Sequence, residues 1–179
     1  MVLAGGRSTR FGSDKLEAPH GGGRLLDAAL RTAMRVATSV VAVGPTERVL
    51  PPGVRAVREE PAYAGPFAAV VTGIAALPDT CTLVLVLAGD LLGPDAAVDA
   101  LLSAYREPYD AAVVVDADGT RQPLLAVYDA PRLVARFARD AADGVAAADR
   151  PARALLDGLA VLEVTARADD VDTRDDLPR

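Results

Sequence analysis

The stretch CTLVLVLAGD, residues 81–90, constrains the fold most. Its apolar core is continuous rather than alternating, as in a strand buried on both faces of a parallel sheet. It is far shorter than the ~20 apolar residues of a membrane span. A strand buried on both faces needs helices above and below it, and the flanking sequence supplies them. Residues 24–37 place Leu26, Leu30, Ala33, Met34 and Ala37 on one helical face, with Asp27 and Arg31 paired on another. Residues 66–77 read as a helix, with Pro66 in the first turn and Pro78 just beyond the end.

Shorter strands alternate with these helices. MVLA at 1–4 reads as the tail of a first strand, SVVAVG at 39–44 as a second and VRAV at 54–57 as a weaker third. Beyond Asp90, a helix is predicted over about 95–105, with Asp95 as its cap. Strands follow at 110–116 and 123–129, separated by a DGT turn. So short a connection predicts antiparallel pairing, because a parallel crossover takes a dozen or more residues. Helices at 130–142 and about 150–158, a last strand at 159–166 and an acidic tail complete the chain. The expectation is one α/β domain over residues 1–179, with a mostly parallel sheet and helices on both faces.

Composition narrows the partners. A net charge of −6 argues against nucleic acid and against an anionic membrane surface. One cysteine, Cys81, excludes an internal disulfide and a thiol-rich metal site; it is expected to pack at a strand start. Neither a signal peptide nor a membrane span is seen, so a cytoplasmic location is expected. The expected assembly is a monomer or weak homo-oligomer.

Against this acidic background, LAGGRSTRFGSDKLE, Leu3 to Glu17, is basic. Arg7, Arg10, Lys15 and nearby Arg24 outnumber Asp14 and Glu17. Lys15 is the sole lysine in the chain; the other 18 basic residues are arginine. The glycines let the backbone approach a ligand and turn amide N–H groups toward it. The loop leaves the carboxyl end of a strand, where open α/β sheets bind ligands. A small polyanion such as a nucleoside triphosphate fits this chemistry, and an Arg- and Gly-rich surface turn is the structural alternative. The loop is neither a Walker A motif, lacking Gly-Lys-Ser/Thr at a helix start, nor a dinucleotide fingerprint, because its helix starts only near Arg24. An ammonium is a compact point charge that sits between phosphate oxygens, whereas guanidinium is a planar fork. Position 15 therefore reads as phosphate-binding.

Asp90 ends the most buried strand, and Gly89 gives its backbone room. A carboxylate there suits Mg²⁺, which takes one or two carboxylates together with phosphate oxygens and waters; a turn or cap aspartate is the alternative. Asp172, after the last strand, is a candidate second ligand or part of a solvated acidic tail. The only histidine, His20, precedes three glycines in an expected exposed turn. Without a nucleophile–base pair, chemistry rests on positioning and electrostatics, as in phosphoryl and nucleotidyl transfer.

Leu3-Ala4-Gly5-Gly6, Arg10-Phe11-Gly12 and Asp14-Lys15-Leu16 resemble the signature loop of the MobA-like nucleotidyltransferases, which include molybdenum cofactor guanylyltransferase. REEPAYAGPFAAV, LAGD, DGTRQPLLAVYD and DVDTRDDL continue the resemblance, in order, along essentially the whole chain. It implies a three-layer αβα, Rossmann-like fold with one antiparallel strand. It also implies Mg²⁺-dependent transfer of a nucleoside monophosphate from GTP (or CTP) to a molybdopterin-type phosphate acceptor, with release of pyrophosphate. Leu3, Ala4, Gly5, Gly6 and Arg7 would line the nucleotide with Lys15, joined by Glu60 and Gly65. Lys15, Arg10 and Asp90 would be catalytic, and Asp90 and Asp172 would hold the metal.

The chain departs from the family pattern at Gly44, where guanylyltransferases often carry Asn, at Ala69 and at Arg174. AGDLL is similar to the cytidylyltransferase relatives, whereas Gly5-Gly6 and RQPLLAVY favour guanine. Two alternatives stand beside GTP-dependent transfer. One is a cytidylyltransferase, or another small transferase of this fold. The other is a nucleotide-binding module without turnover.

Overall fold

The computed structural model describes residues 1–6, 11–167, 169–171, 173 and 176. The strands in chain order are β1 (Val2–Leu3), β2 (Pro19–His20), β3 (Gly23–Arg24), β4 (Val40–Val43), β5 (Val54–Val57), β6 (Leu83–Ala88), β7 (Leu91–Leu92), β8 (Ala111–Val115), β9 (Arg121–Asp129), β10 (Val161–Thr165) and β11 (Asp169–Asp170). The α-helices are α1 (Leu25–Val36), α2 (Pro66–Ala75), α3 (Asp95–Ala104) and α4 (Ala130–Ala142).

Seven strands form the central sheet in the order β10-β8-β9-β6-β1-β4-β5. Strand β9 runs antiparallel to both its neighbours, and the other pairings are parallel. The β8–β9 connection is thus the predicted hairpin, and the mixed three-layer architecture is the expected one.

The two-residue period of β6 explains the layers. Leu85 and Leu87 face a core shared with Leu26 and Leu30 of α1 and Val98 and Leu101 of α3. Val84 and Val86 face the other side, with Phe67 and Val70 of α2 and Leu133 of α4. Each fully buried Leu or Phe contributes about 1.5–3 kcal/mol through water release, so the two cores, not local propensity, hold the layers.

Four details depart from the sequence reading. Helix α1 is rotated from its expected face: Leu25 and Ala29 are fully buried, whereas Met34 is 42% exposed and Ala37 lies outside the helix, exposed. Residues 152–156 form a 3-10 helix instead of an α-helix, confined between Pro151 and the positive-φ Gly158. Pro94, not Asp95, occupies the cap of α3 and makes no side-chain cap bond; Asp95 instead pairs with Arg35 at 3.2 Å. His20, expected in an exposed turn, is instead half-buried in the small β2–β3 hairpin, paired with Gly23. No helix among the described residues is long and apolar enough to cross a membrane.

Candidate functional site

The carboxyl ends of four adjacent strands are locked in line beyond the strands themselves. Gly89 N–H donates to Leu3 O at 2.9 Å, Ala4 N–H to Val43 O at 2.7 Å, and Gly44 N–H to Val57 O at 2.8 Å. Small residues make this possible. A Cβ at Gly89 would lie 2.7 Å from Leu3 O, and one at Gly44 would lie 2.5 Å from Ala4 O. The glycine loop therefore leaves β1 pressed between the ends of β4 and β6. Gly44, where a family Asn was noted, is backbone packed hard against that loop.

Three segments meet at this edge. The loop after β1 turns into a 3-10 helix, Lys15–Glu17, capped by Asp14, whose Oδ1 accepts from Leu16 N–H at 3.1 Å. The end of β6 supplies Asp90. The segment containing β11 pairs with β7, directly after Asp90, and buries Val171 in a small cluster with Phe11, Ala18 and Leu25. Val171 N–H donates to Asp90 O at 3.2 Å.

Lys15 closes the arrangement. Its ammonium forms an ion pair with Asp90 Oδ2 and donates to Val171 O at 2.9 Å. Both charged side chains are less than one-fifth exposed, so they interact in a partly shielded setting where charge counts for more than in bulk water. Residues 15 and 90, far apart in sequence, thus meet at the carboxyl edge of the sheet.

The other candidates fall into three groups. Leu3 and Ala4 are buried at the end of β1, and Gly5 and Gly6 are exposed beyond it. Gly65 caps α2 at φ +95°, a conformation that favours glycine, on the connection from β5. Arg7, Arg10 and Asp172 lie outside the described residues.

Glu60 is exposed on the β5–α2 connection, and its neighbour Glu59 is the buried acid. Glu59 Oε1 accepts from Tyr63 N–H at 3.1 Å, while Oε2 is buried without a hydrogen-bond partner among the described residues. Sequence reasoning passed over Glu59 because two adjacent acids look alike in a string of letters.

It also passed over Arg48. This side chain, 6% exposed, bonds Asp14 Oδ2 at 2.7 Å and pairs with Glu17 Oε1. Glu17 is shared with Arg24 at 3.3 Å, and Arg24 in turn pairs with Asp27 at 2.8 Å.

No group of three or more His, Cys, Asp or Glu among the described residues forms a ready-made metal cage. A separate cavity of about 330 Å³ opens at the opposite end of the sheet, lined by Thr38, Cys81, Leu83 and Leu102. It holds neither Lys15 nor Asp90.

The MobA-like NTP transferase domain model matches residues 1–162. No curated protein matches the chain. Among solved structures, Rv0371c from Mycobacterium tuberculosis H37Rv is 21% identical, with a TM-score of 0.72 over 98% of this chain and 92% of that one. A second structure of Rv0371c is described as a complex with manganese. Molybdopterin-guanine dinucleotide biosynthesis protein A from Archaeoglobus fulgidus is 19% identical, with a TM-score of 0.69 over 98% and 92% of the two chains. The inositol-1-phosphate CTP transferase from T. maritima is 13% identical, with a TM-score of 0.77 over 99% and 90%. At these identities the structures show a shared fold.

Proposed function

We propose that this chain, which belongs to the MobA-like NTP transferase family, transfers GMP from GTP to the terminal phosphate of molybdenum-loaded molybdopterin and releases pyrophosphate. The observation that carries this reading is the meeting of Lys15 and Asp90 at the carboxyl edge of the sheet. A cation and a carboxylate able to hold a metal are the two groups a triphosphate needs, and here they pair beside a glycine loop.

In the reaction an acceptor phosphate oxygen attacks the α-phosphorus in line. The bond from that phosphorus to the bridging oxygen breaks, and pyrophosphate leaves with the electron pair. Lys15 holds the leaving phosphates, and loop amides from Gly5 and Gly6 receive negative charge. Arg7 and Arg10 are the further basic groups of the loop. Asp90, with Asp172, is the candidate ligand set for Mg²⁺, which when bound would neutralise charge on the phosphates. The Lys15–Asp90 pair is a resting arrangement. A metal ion and a triphosphate each offer one member of the pair a stronger partner.

Glu60 and Gly65 lie on the connection expected to face the base and ribose, where Glu59 adds a buried carboxylate. GTP is favoured by Gly5-Gly6 and the RQPLLAVY segment. The second reading, a cytidylyltransferase, is favoured by AGDLL and by the fold shared with a CTP transferase.

The test is a set of melting curves with GTP, CTP and UTP, each with Mg²⁺, followed by mass analysis of the product formed with molybdenum-loaded molybdopterin. Stabilisation by GTP and a product heavier than the acceptor by one guanylyl group, GMP less water, are expected. Stabilisation by CTP alone contradicts the guanylyl reading, and nucleotide binding without turnover identifies a module that only binds.

A further inference from the structure

Lys15 is flanked in sequence by two carboxylates, Asp14 and Glu17, whose side chains are 45% and 43% exposed. Negative charge on the same short turn as a phosphate-binding lysine works against it. The guanidinium of Arg48 answers both. It comes from the β4–β5 connection, sits almost wholly out of solvent, and bonds Asp14 Oδ2 at 2.7 Å while pairing with Glu17 Oε1. Asp14 is also the cap of the 3-10 turn that carries Lys15. Arg24 is already committed to Asp27 and reaches Glu17 only at 3.3 Å, so it cannot replace Arg48 at Asp14. Without Arg48, this cluster of Asp14, Glu17 and Asp27 would be balanced by one guanidinium instead of two.

We propose that Arg48 is a positioning residue of the phosphate site: it grips the Lys15 turn through Asp14 and Glu17 and offsets one of their two negative charges, so that Lys15 meets a polyanion with less opposing charge beside it. The proposal rests on the triphosphate reading of the site, but not on which base or acceptor is used. It makes the β4–β5 connection a buttress at two points, Gly44 against the start of the glycine loop and Arg48 against its end.

The experiment measures dissociation constants of Mg²⁺–GTP and Mg²⁺–CTP at low salt for the parent and for three variants. These are Arg48→Met, which keeps an apolar stem at this buried position; Arg48→Met with Asp14→Asn and Glu17→Gln; and Asp14→Asn with Glu17→Gln alone. Asn retains the cap oxygen, so the turn survives. Arg48→Met should weaken binding about tenfold, and the triple variant should return to within about threefold of the parent. The double variant, with Arg48 uncancelled, should bind more tightly than the parent, and it remains informative if Arg48→Met does not fold.

Unchanged binding in Arg48→Met, a triple variant as weak as Arg48→Met, or weaker binding in the double variant would each overturn the proposal. A parent that binds nucleotide without transferring it ends the transfer reading and leaves the Arg48 comparison intact. A parent that binds neither nucleotide ends both.

Discussion

At the scale of single residues, the site depends on contacts with little tolerance for substitution. Lys15 Nζ serves Asp90 and Val171 O together, with its side chain 19% exposed. A planar guanidinium cannot occupy a point-charge site of that kind. Lys15→Arg is expected to lower pyrophosphate release about 100-fold, the scale of removing one preorganised donor, in a coupled phosphate assay. Its melting temperature should stay close to the parent's. Gly89→Ala tests the backbone behind Asp90, because the added methyl would meet Leu3 O at 2.7 Å and Leu26 Cδ1 at 3.0 Å. A loss of about 1–3 kcal/mol in urea unfolding is expected, as for other overpacked sites. In the sequence Lys15 stands out as the one lysine and Asp90 by its place at the end of the most buried strand, and the structure brings the two together. The sequence did not reveal Arg48, because one arginine among 18 carries no mark of burial, nor the division of labour between Glu59 and Glu60, which depends on which way each side chain turns.

At the scale of elements, the start of α1 shows how local chemistry holds the loop's far end. Arg24 N–H donates to Asp27 Oδ2 at 2.8 Å and Arg24 Nη2 to Asp27 Oδ1 at 2.8 Å. The Arg24 side-chain hydrogen bond, aided by the backbone bond from Arg24 and by the guanidinium charge, holds the Asp27 carboxyl below its ordinary range. A depressed folded pKa gives stability that is full above the unfolded value and fades as pH falls through the folded one. Asp27→Asn should therefore cost about 1 kcal/mol at pH 7, a difference that shrinks below about pH 4 in denaturant melts. Element types were legible wherever periodicity was long, as in β6 and α4. Strands β2, β3, β7 and β11, each of two residues, were not, because their pairing is decided by partners distant in sequence. The face of α1 was misjudged at Met34, since methionine is apolar enough to pass as core while the adjacent Ala33 and Thr32 take the buried positions.

At the scale of the molecule, the sheet order brings β6, β1, β4 and β5 side by side with their carboxyl ends on one edge, and the candidate site follows from that alone. The alternation of strands and helices made this architecture readable, and the short β8–β9 turn marked its one reversal. The sequence left open whether the acidic tail returns to the sheet or stays in solvent; Val171 comes back to Asp90 at the end of β6, and its carbonyl accepts from Lys15 across 156 residues. A ligand bound at such an edge stabilises the whole fold, by about 2.7 kcal/mol at 100 times its dissociation constant, so Mg²⁺–GTP should raise the melting temperature of the parent and much less that of Lys15→Arg. The most direct measurement of the central claim is pyrophosphate release from GTP with Mg²⁺ and molybdenum-loaded molybdopterin, comparing the parent with Asp90→Asn. The account predicts steady release by the parent and a loss of at least about 100-fold in a variant that melts normally. Full activity in Asp90→Asn, or a parent that releases no pyrophosphate from GTP, contradicts it.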